Sequence, residues 1–331
     1  MVKYIIRRLL WLIPILLGVI TIVFIITALT PGDPVDQIVG INASEEVREA
    51  TRESLGLNDP LIVRWANYIV GFVTRGDLGI SYATGLPVAQ ELSGRLPVTI
   101  FLAFASVGLG VLLGIPLGVF SAIKQYTWVD SLILVLSMFA VSMPSFWLAL
   151  LLMLLFSVNL GWLPPTGIAD PLGWILPIAV IGFATMSGIT RMTRSSMLEV
   201  MRQDYVRTAE AKGQREGVIV TRHMLRNALI PVLTSIGGNV GSQLGGAVTI
   251  EAVFAIPGIG NYIVAAINAR NYTAIEGGIL VLAVVFTLVN LAVDLAYVFV
   301  DPRLKSQLTA KKTKRGQLKK LLAAQGGGAH G

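Results

Sequence analysis

The chain has 331 residues, of which 54% are apolar, with a mean hydropathy of +0.73 and a formal net charge of +7. It contains no cysteine, which excludes disulfides, thiolate zinc sites and cysteine nucleophiles. Its apolar residues gather in runs long enough to cross a bilayer, so the positive charge calls for no nucleic-acid partner.

A bilayer core of roughly 30 Å takes about 20 helical residues. Leu9–Leu29 is the first such run. The basic MVKYIIRR before it resembles the start of a signal peptide. The apolar stretch is too long for that, and no A-x-A site follows, so it reads as a retained anchor. The polar region that follows, 31–96, contains SEEVREATRESLGLNDP. Ser44 predicts a helix N-cap there and Gly56 a stop, with no catalytic cluster. Further spans are predicted over Pro97–Ile123, Ser131–Val158, Pro171–Ile189, Ala228–Val253 and Gly277–Val300. Pro116, Pro144, Pro177 and Pro231 predict kinks or helix starts. Arg191 and Arg194 read as headgroup anchors closing the fourth span, with a gating role as the alternative.

Within the fifth span, Asn239 and Gln243 lie one turn apart with Ser242 beside them; Asn290 and Asp294 repeat the spacing in the sixth. These polar groups read either as a path for a hydrated solute or as interhelical hydrogen bonds, and Asp294 reads as structural. The stretch at 257–260 (Pro257, Gly258, Ile259, Gly260), followed by apolar YIVAAI, reads as a short capping or re-entrant helix at the outer mouth.

Lys and Arg set the orientation. The region 31–96 has nine acids and five bases, 191–227 has eight bases and four acids, and the tail from Asp301 has eight bases and one acid. Six spans with both termini in the cytoplasm satisfy every segment. The predicted fold class is therefore an all-α integral membrane protein with six transmembrane helices and an external region after the first. The basic tail, 305–331, reads as a disordered end attracted to anionic lipid.

Several chemistries lack their residues. The two histidines, His223 and His330, are far apart, and H-E-x-x-H and G-x-S-x-G do not occur. G-x-x-x-x-G-K-[ST] is also missing, so no P-loop binds nucleotide in this chain. No cofactor or metal is predicted, and the chain reads as no enzyme. A stand-alone secondary transporter would need carboxylates near the midplane, and Asp294 is its one plausible candidate.

Against this background, QDYVRTAEAKG at 203–213 stands out as polar and rich in small side chains. Asp204 is a candidate N-cap and Gly213 a candidate left-handed stop. The few residues between them are marginal as a lone helix. They read either as an amphipathic connector on lipid headgroups or as a surface for close approach by a partner.

The stretch SSMLEVMRQDYVRTAEAKG, followed by RHMLRNALIPVLT, resembles the EAA-type cytoplasmic signature of ABC importer permeases of the dipeptide/oligopeptide/nickel branch. PSFWLALLLMLLFS at 144–157, LGWLPPTG at 160–167, EAVFAIPGIGN at 251–261, DPRL at 301–304 and TPGDP after the first helix are similar to other parts of that family. Glu210 stands where Arg is common, and Asn271 where Asp is common. Arg207, Thr208 and Ala209 occupy the E-A-A positions. The resemblance implies that 204–213 is a coupling helix docking on an ATPase subunit through Asp204, Tyr205, Arg207, Thr208, Ala209, Glu210, Ala211, Lys212 and Gly213. It also implies the short helix at the outer mouth, where Pro257, Gly258 and Gly260 read as an outer gate, while the pathway past Asn239, Ser242 and Gln243 rests on the polar residues themselves. The implied partners are a second homologous permease, two ATPase subunits that hold the ATP, an extracytoplasmic solute-binding protein and the bilayer. The implied cargo is di- or oligopeptides, with nickel complexes, glutathione or oligosaccharides as alternatives.

Overall fold

The computed structural model describes residues 2–30, 33–40 and 42–300. The DPRL exit, the basic tail and the side chain of Asp294 lie outside the described residues. Thirteen helices follow one another among them, and no strand occurs there beyond an isolated bridge between Ile80 and Pro87. They are α1 (Val2–Leu29), α2 (Pro34–Val39), α3 (Glu45–Ser54), α4 (Leu61–Arg75), α5 (Val88–Ile123), α6 (Trp128–Ser142), α7 (Ser145–Met153), α8 (Ile175–Met201), α9 (Asp204–Ala211), α10 (Glu216–Val218), α11 (Arg226–Val253), α12 (Ile259–Asn268) and α13 (Tyr272–Val300).

Four segments are long and apolar enough to cross a membrane: Leu10–Leu29 of α1, all of α5, Pro171–Met201 ending in α8, and Tyr272–Val293 of α13. α11 has the length, at 28 residues, but its Gly, Asn, Ser and Gln keep it out of that apolar set. The span expected over Ser131–Val158 is interrupted at Pro144, one of the prolines expected to kink or begin a helix. α6 and the α7 segment running to Asn159 meet at a bend of 101°. Pro144 is the cause: a proline ring drives the preceding residue out of helical conformation, and Met143 sits at φ −84°, ψ 132°.

α5 and α8 make the most extensive helix pair. Gly110, Gly114 and Gly118 lie one turn apart on α5 against Thr185, Ile189 and Thr193 of α8. A Cβ at Gly110 would stand 2.7 Å from the Thr185 methyl, and one at Gly114 2.9 Å from the Met186 carbonyl oxygen. Small residues at this spacing let backbones approach closely in lipid, where no hydrophobic drive separates helix from tail.

A buried ion pair closes the same seam. Asp130, near the start of α6, is held by Arg194 of α8 through two parallel bonds, Nε to Oδ1 and Nη2 to Oδ2, each 2.7 Å. Ser121 of α5 donates to Oδ1 at 2.5 Å and the Tyr126 backbone N–H to Oδ2 at 3.1 Å. The expectation that both arginines anchor at headgroups is therefore corrected for Arg194. A buried carboxylate captures it because each charge left alone in that setting costs several kcal/mol. Arg191 stays exposed, and its Nη1 is 3.4 Å from the Ser187 hydroxyl.

The region that follows α1 is stitched by charge and by two polar hubs. Ser44 caps α3 through the Val47 N–H at 3.5 Å, and Gly56, at φ +65°, follows the helix as expected. Arg52 reaches back to Asp33, and Arg48 to Asp36 at 2.6 Å. Burial raises the Asp33 carboxyl, but bonds from Arg52 and the Val35 N–H, with the charges of Arg52 and Arg48, outweigh it and leave it below its ordinary value. Asn271 accepts from the Tyr82 N–H at 3.1 Å and donates to the Ser81 hydroxyl at 2.8 Å, tying the loop before α5 to the start of α13. Thr27 of α1 donates to Glu276 of α13 at 2.8 Å.

Arg194→Ala strands the Asp130 carboxylate and should destabilise the fold by about 3 kcal/mol. Asp130→Asn combined with Arg194→Ala should recover part of that loss, because the stranded charge is gone. Thermal unfolding of the purified single and double variants checks this. Equal and additive losses would show that the pair is not coupled.

Candidate functional site

α9 is held by two side chains. Val206 and Ala209, 1% and 5% exposed, insert among Ala122 of α5, Met197 of α8, Ile219 and Met224 after α10, and Ala228 of α11. Asp204, Tyr205, Arg207, Thr208, Glu210, Ala211, Lys212 and Gly213 stay exposed. The helix thus shows solvent a polar face while its anchors share a buried cluster with residues of three long helices. Gly213 sits at φ +72° and its N–H donates to the Glu210 carbonyl at 2.9 Å, as a left-handed stop requires. The N-cap assignment shifts by one residue. Gln203 occupies it without a side-chain capping bond, and Asp204 is the first helical residue, where its charge still suits the helix dipole. The Asn227 amide donates to the Tyr205 hydroxyl at 3.0 Å, joining α9 to α11.

The polar residues of α11 divide between two environments. Gln243 is half-buried and its Nε2 donates to Thr185 of α8 at 2.7 Å. The amide of Asn239 turns back to the Ser235 carbonyl of its own helix at 2.8 Å. Ser242 is exposed, its hydroxyl on the Asn239 carbonyl at 3.0 Å. It belongs to a stripe of Thr234, Gly238, Ser242, Gly245 and Thr249, all exposed and all small or hydroxylic. Beside the stripe, Gly241 packs against Asn290 of α13, leaving no room for a Cβ. So the three residues grouped by sequence do not share one surface: Gln243 staples α11 to α8, and Ser242 faces outward.

At the far end of α11, Glu251 is fully buried. Thr99 of α5 donates to its Oε1 at 2.7 Å, and the N–H groups of Gly260 and Asn261 donate to Oε2 at 2.7 and 3.2 Å. The Thr99 hydroxyl in turn accepts from the Ile259 N–H at 2.9 Å. The carboxylate satisfies the orphan donors of the first turn of α12 and the helix dipole favours it there. This explains the glycines: a Cβ at Gly258 would fall on the Glu251 carboxylate, and one at Gly260 on Val248. Pro257 is exposed, whereas Gly258 and Gly260 are buried in this latch.

Sequence reasoning missed Asp130, Thr99 and Glu251. A carboxylate inside an apolar run was the available signal for both acids. Among the described residues, no group of three or more metal-ligating side chains could hold an ion.

The family model described as the binding-protein-dependent transport system inner membrane component matches residues 114–306, and that of the N-terminal region of such components matches residues 1–103. The dipeptide transport system permease protein DppB of Alkalihalophilus pseudofirmus is 43% identical over 333 residues, covering 92% of this chain and 100% of the relative. The glutathione transport system permease protein GsiC of Salmonella typhimurium is 40% identical over 305 residues, covering 92% and 99%. In fold, the chain is similar to a chain of the MetNI methionine ABC transporter in an inward-facing conformation. The TM-score is 0.55 and the identity 18%, and the likeness covers 64% of this chain and 97% of that one. With the apolar helices, the bent pair and the anchored cytoplasmic-type signature now in place, the chain belongs to the binding-protein-dependent inner-membrane components, the permease subunits of ABC importers.

Proposed function

We propose that this permease forms half of the pathway of an ATP-driven peptide importer and that α9, with its stop at Gly213, is its coupling helix. The observation that carries the reading is the seating of α9. Val206 and Ala209 belong to one buried cluster with Ala122 of α5, Met197 of α8 and Ala228 of α11, and Asn227 of α11 donates to Tyr205, so a displacement of α9 would disturb a cluster that all three helices share. Two ATPase subunits hold the nucleotide, dock on the exposed face of α9, and draw together on binding ATP. Their movement biases the pathway between inward-facing and outward-facing states. A second homologous permease supplies the other half, and a solute-binding protein delivers cargo from outside. This chain is a transport subunit with no nucleotide site of its own.

The organisation that fits this reading has an anchor over 1–30, an extracytoplasmic region over 31–96, a core over 97–304 and a basic cytoplasmic tail over 305–331. α11 and the bent α6–α7 pair complete six spans, with both termini in the cytoplasm. Peptide cargo is favoured by the names of relatives such as the dipeptide permease. Glutathione, itself a peptide, is the second reading, favoured by the glutathione permease relative. The path runs along the exposed stripe of α11 through Ser242, with Asn239 and Gln243 behind it. A solute that sheds water against apolar walls leaves its amides unpaired, at several kcal/mol each. Gly258 and Gly260 set the outer gate by letting Glu251 latch α12.

Gly213→Pro cannot take the left-handed conformation and loses the N–H that closes α9, and reversing the charges of Arg207 and Glu210 alters its docking face. Each should lower transport on the order of tenfold and abolish the dependence of ATPase activity on the solute-binding protein. Unchanged uptake and unchanged stimulated hydrolysis would reject the coupling role. For topology, a cysteine at Ser44 should react with an impermeant thiol reagent in intact cells and one at Gln214 should not. The opposite pattern would invert the orientation. Ser242→Leu should reduce uptake per assembled complex, whereas Gln243→Leu should first lower thermal stability by about 1 kcal/mol. Purified complexes assayed for both quantities separate the roles, and a Ser242→Leu complex that transports normally would remove the stripe from the path.

A further inference from the structure

We infer that α4 is an interfacial helix set into the outer leaflet, with Ile62, Ala66, Val70 and Val73 against lipid acyl chains. The two sides of α4 differ sharply. On one, Trp65 donates its indole N–H to Thr21 of α1 at 3.1 Å, the Arg64 guanidinium stands 5.9 Å from the Phe24 ring, and Tyr68 and Phe72 pack into the cluster built on Leu16 and Ile20. On the other, Ile62, Val70 and Val73 are 67%, 57% and 70% exposed, with Ala66 between them. The positions i, i+4, i+8 and i+11 make one continuous apolar arc. No charged residue lies on it; the charges of α4 are Arg64, on the packed side, and Arg75, in its last turn.

Depth identifies what covers the arc. Thr21 lies eight residues before Leu29, the end of α1, which at 1.5 Å per residue is about 12 Å below that end. A helix tied there by Trp65 runs beside the outer part of a membrane span. The neighbouring surface of α1 is also apolar and exposed, at Ile22, Ile25, Ile26 and Leu29. The arc of α4 continues that surface. A water-soluble partner docked on the external region does not reach this depth, whereas an amphipathic helix at the headgroup and acyl boundary occupies it. The lipid contact thereby holds the external region down at the mouth of the pathway.

The native chain has no cysteine, so single nitroxide labels can be placed without background. Cysteines replacing Ile62, Val70 and Val73, with Ser44→Cys as the aqueous control, are labelled in the assembled transporter reconstituted into bilayers. Relaxation of each label by oxygen and by a water-soluble nickel chelate is then compared. The three α4 labels should respond to oxygen in preference to the chelate, and the Ser44 label should show the reverse. Preference for the chelate along α4 would place the arc in water and overturn the inference. Protection from both reagents would place a protein partner there and overturn it equally.

Discussion

The close approach of α5 and α8 is the constraint on which the rest of the structure depends. In lipid the tails are as apolar as the side chains, so helices associate through packing and polar ties rather than by expelling water. Gly110, Gly114 and Gly118 remove the Cβ atoms that would hold the backbones apart. The two helices then serve as a reference frame. Thr185, packed against Gly110, is the residue that Gln243 of α11 reaches. Ser121 and Arg194, further along the same two helices, converge on Asp130 and fix the start of α6. The two helices also contribute Ala122 and Met197 to the socket of α9.

Three carboxylates do the long-range stitching. Asp130, Glu251 and Glu276 each sit within an apolar helix, where an unpaired charge is expensive. Each is met by at least one donor distant in the chain: Arg194 for Asp130, which Ser121 also meets, Thr99 for Glu251, which the first turn of α12 also meets, and Thr27 for Glu276. Such bonds are directional, unlike dispersion contacts, and so they fix register between helices whose surfaces are otherwise smooth. They sit at both ends of the bundle, while the seam between α5 and α8 occupies the middle.

α9 itself illustrates how little burial is needed to seat a short helix. Two small or medium side chains, Val206 and Ala209, seat it, and a left-handed glycine ends it. Eight residues would be a marginal helix alone, and the socket supplies what propensity does not. The remainder of its surface stays polar and open to a partner.

Length and hydropathy alone determined that the chain crosses a membrane as helices, because hydrocarbon leaves backbone groups no other partner. Backbone chemistry determined the Gly213 stop, the Ser44 cap and the interruption at Pro144, since each depends on one residue's own geometry and its immediate neighbours. Pro144 was foreseen as a kink or a helix start, but a bend of 101° needed the orientation of both arms. Which polar residues meet was decided only by tertiary structure. Asn239, Ser242 and Gln243 are close in sequence, yet a rotation of about 100° per residue sends Gln243 toward α8 and Ser242 outward. Arg194 passed for a headgroup anchor because its partner, Asp130, lies 64 positions away. Nothing in the stretch 257–260 indicated that Gly258 and Gly260 leave clearance for the Glu251 carboxylate and Val248, which only the folded chain shows. In each case the local sequence specified a chemical group, while long-range packing chose its partner, because burial makes an unmet polar group too costly to leave where the chain alone would put it.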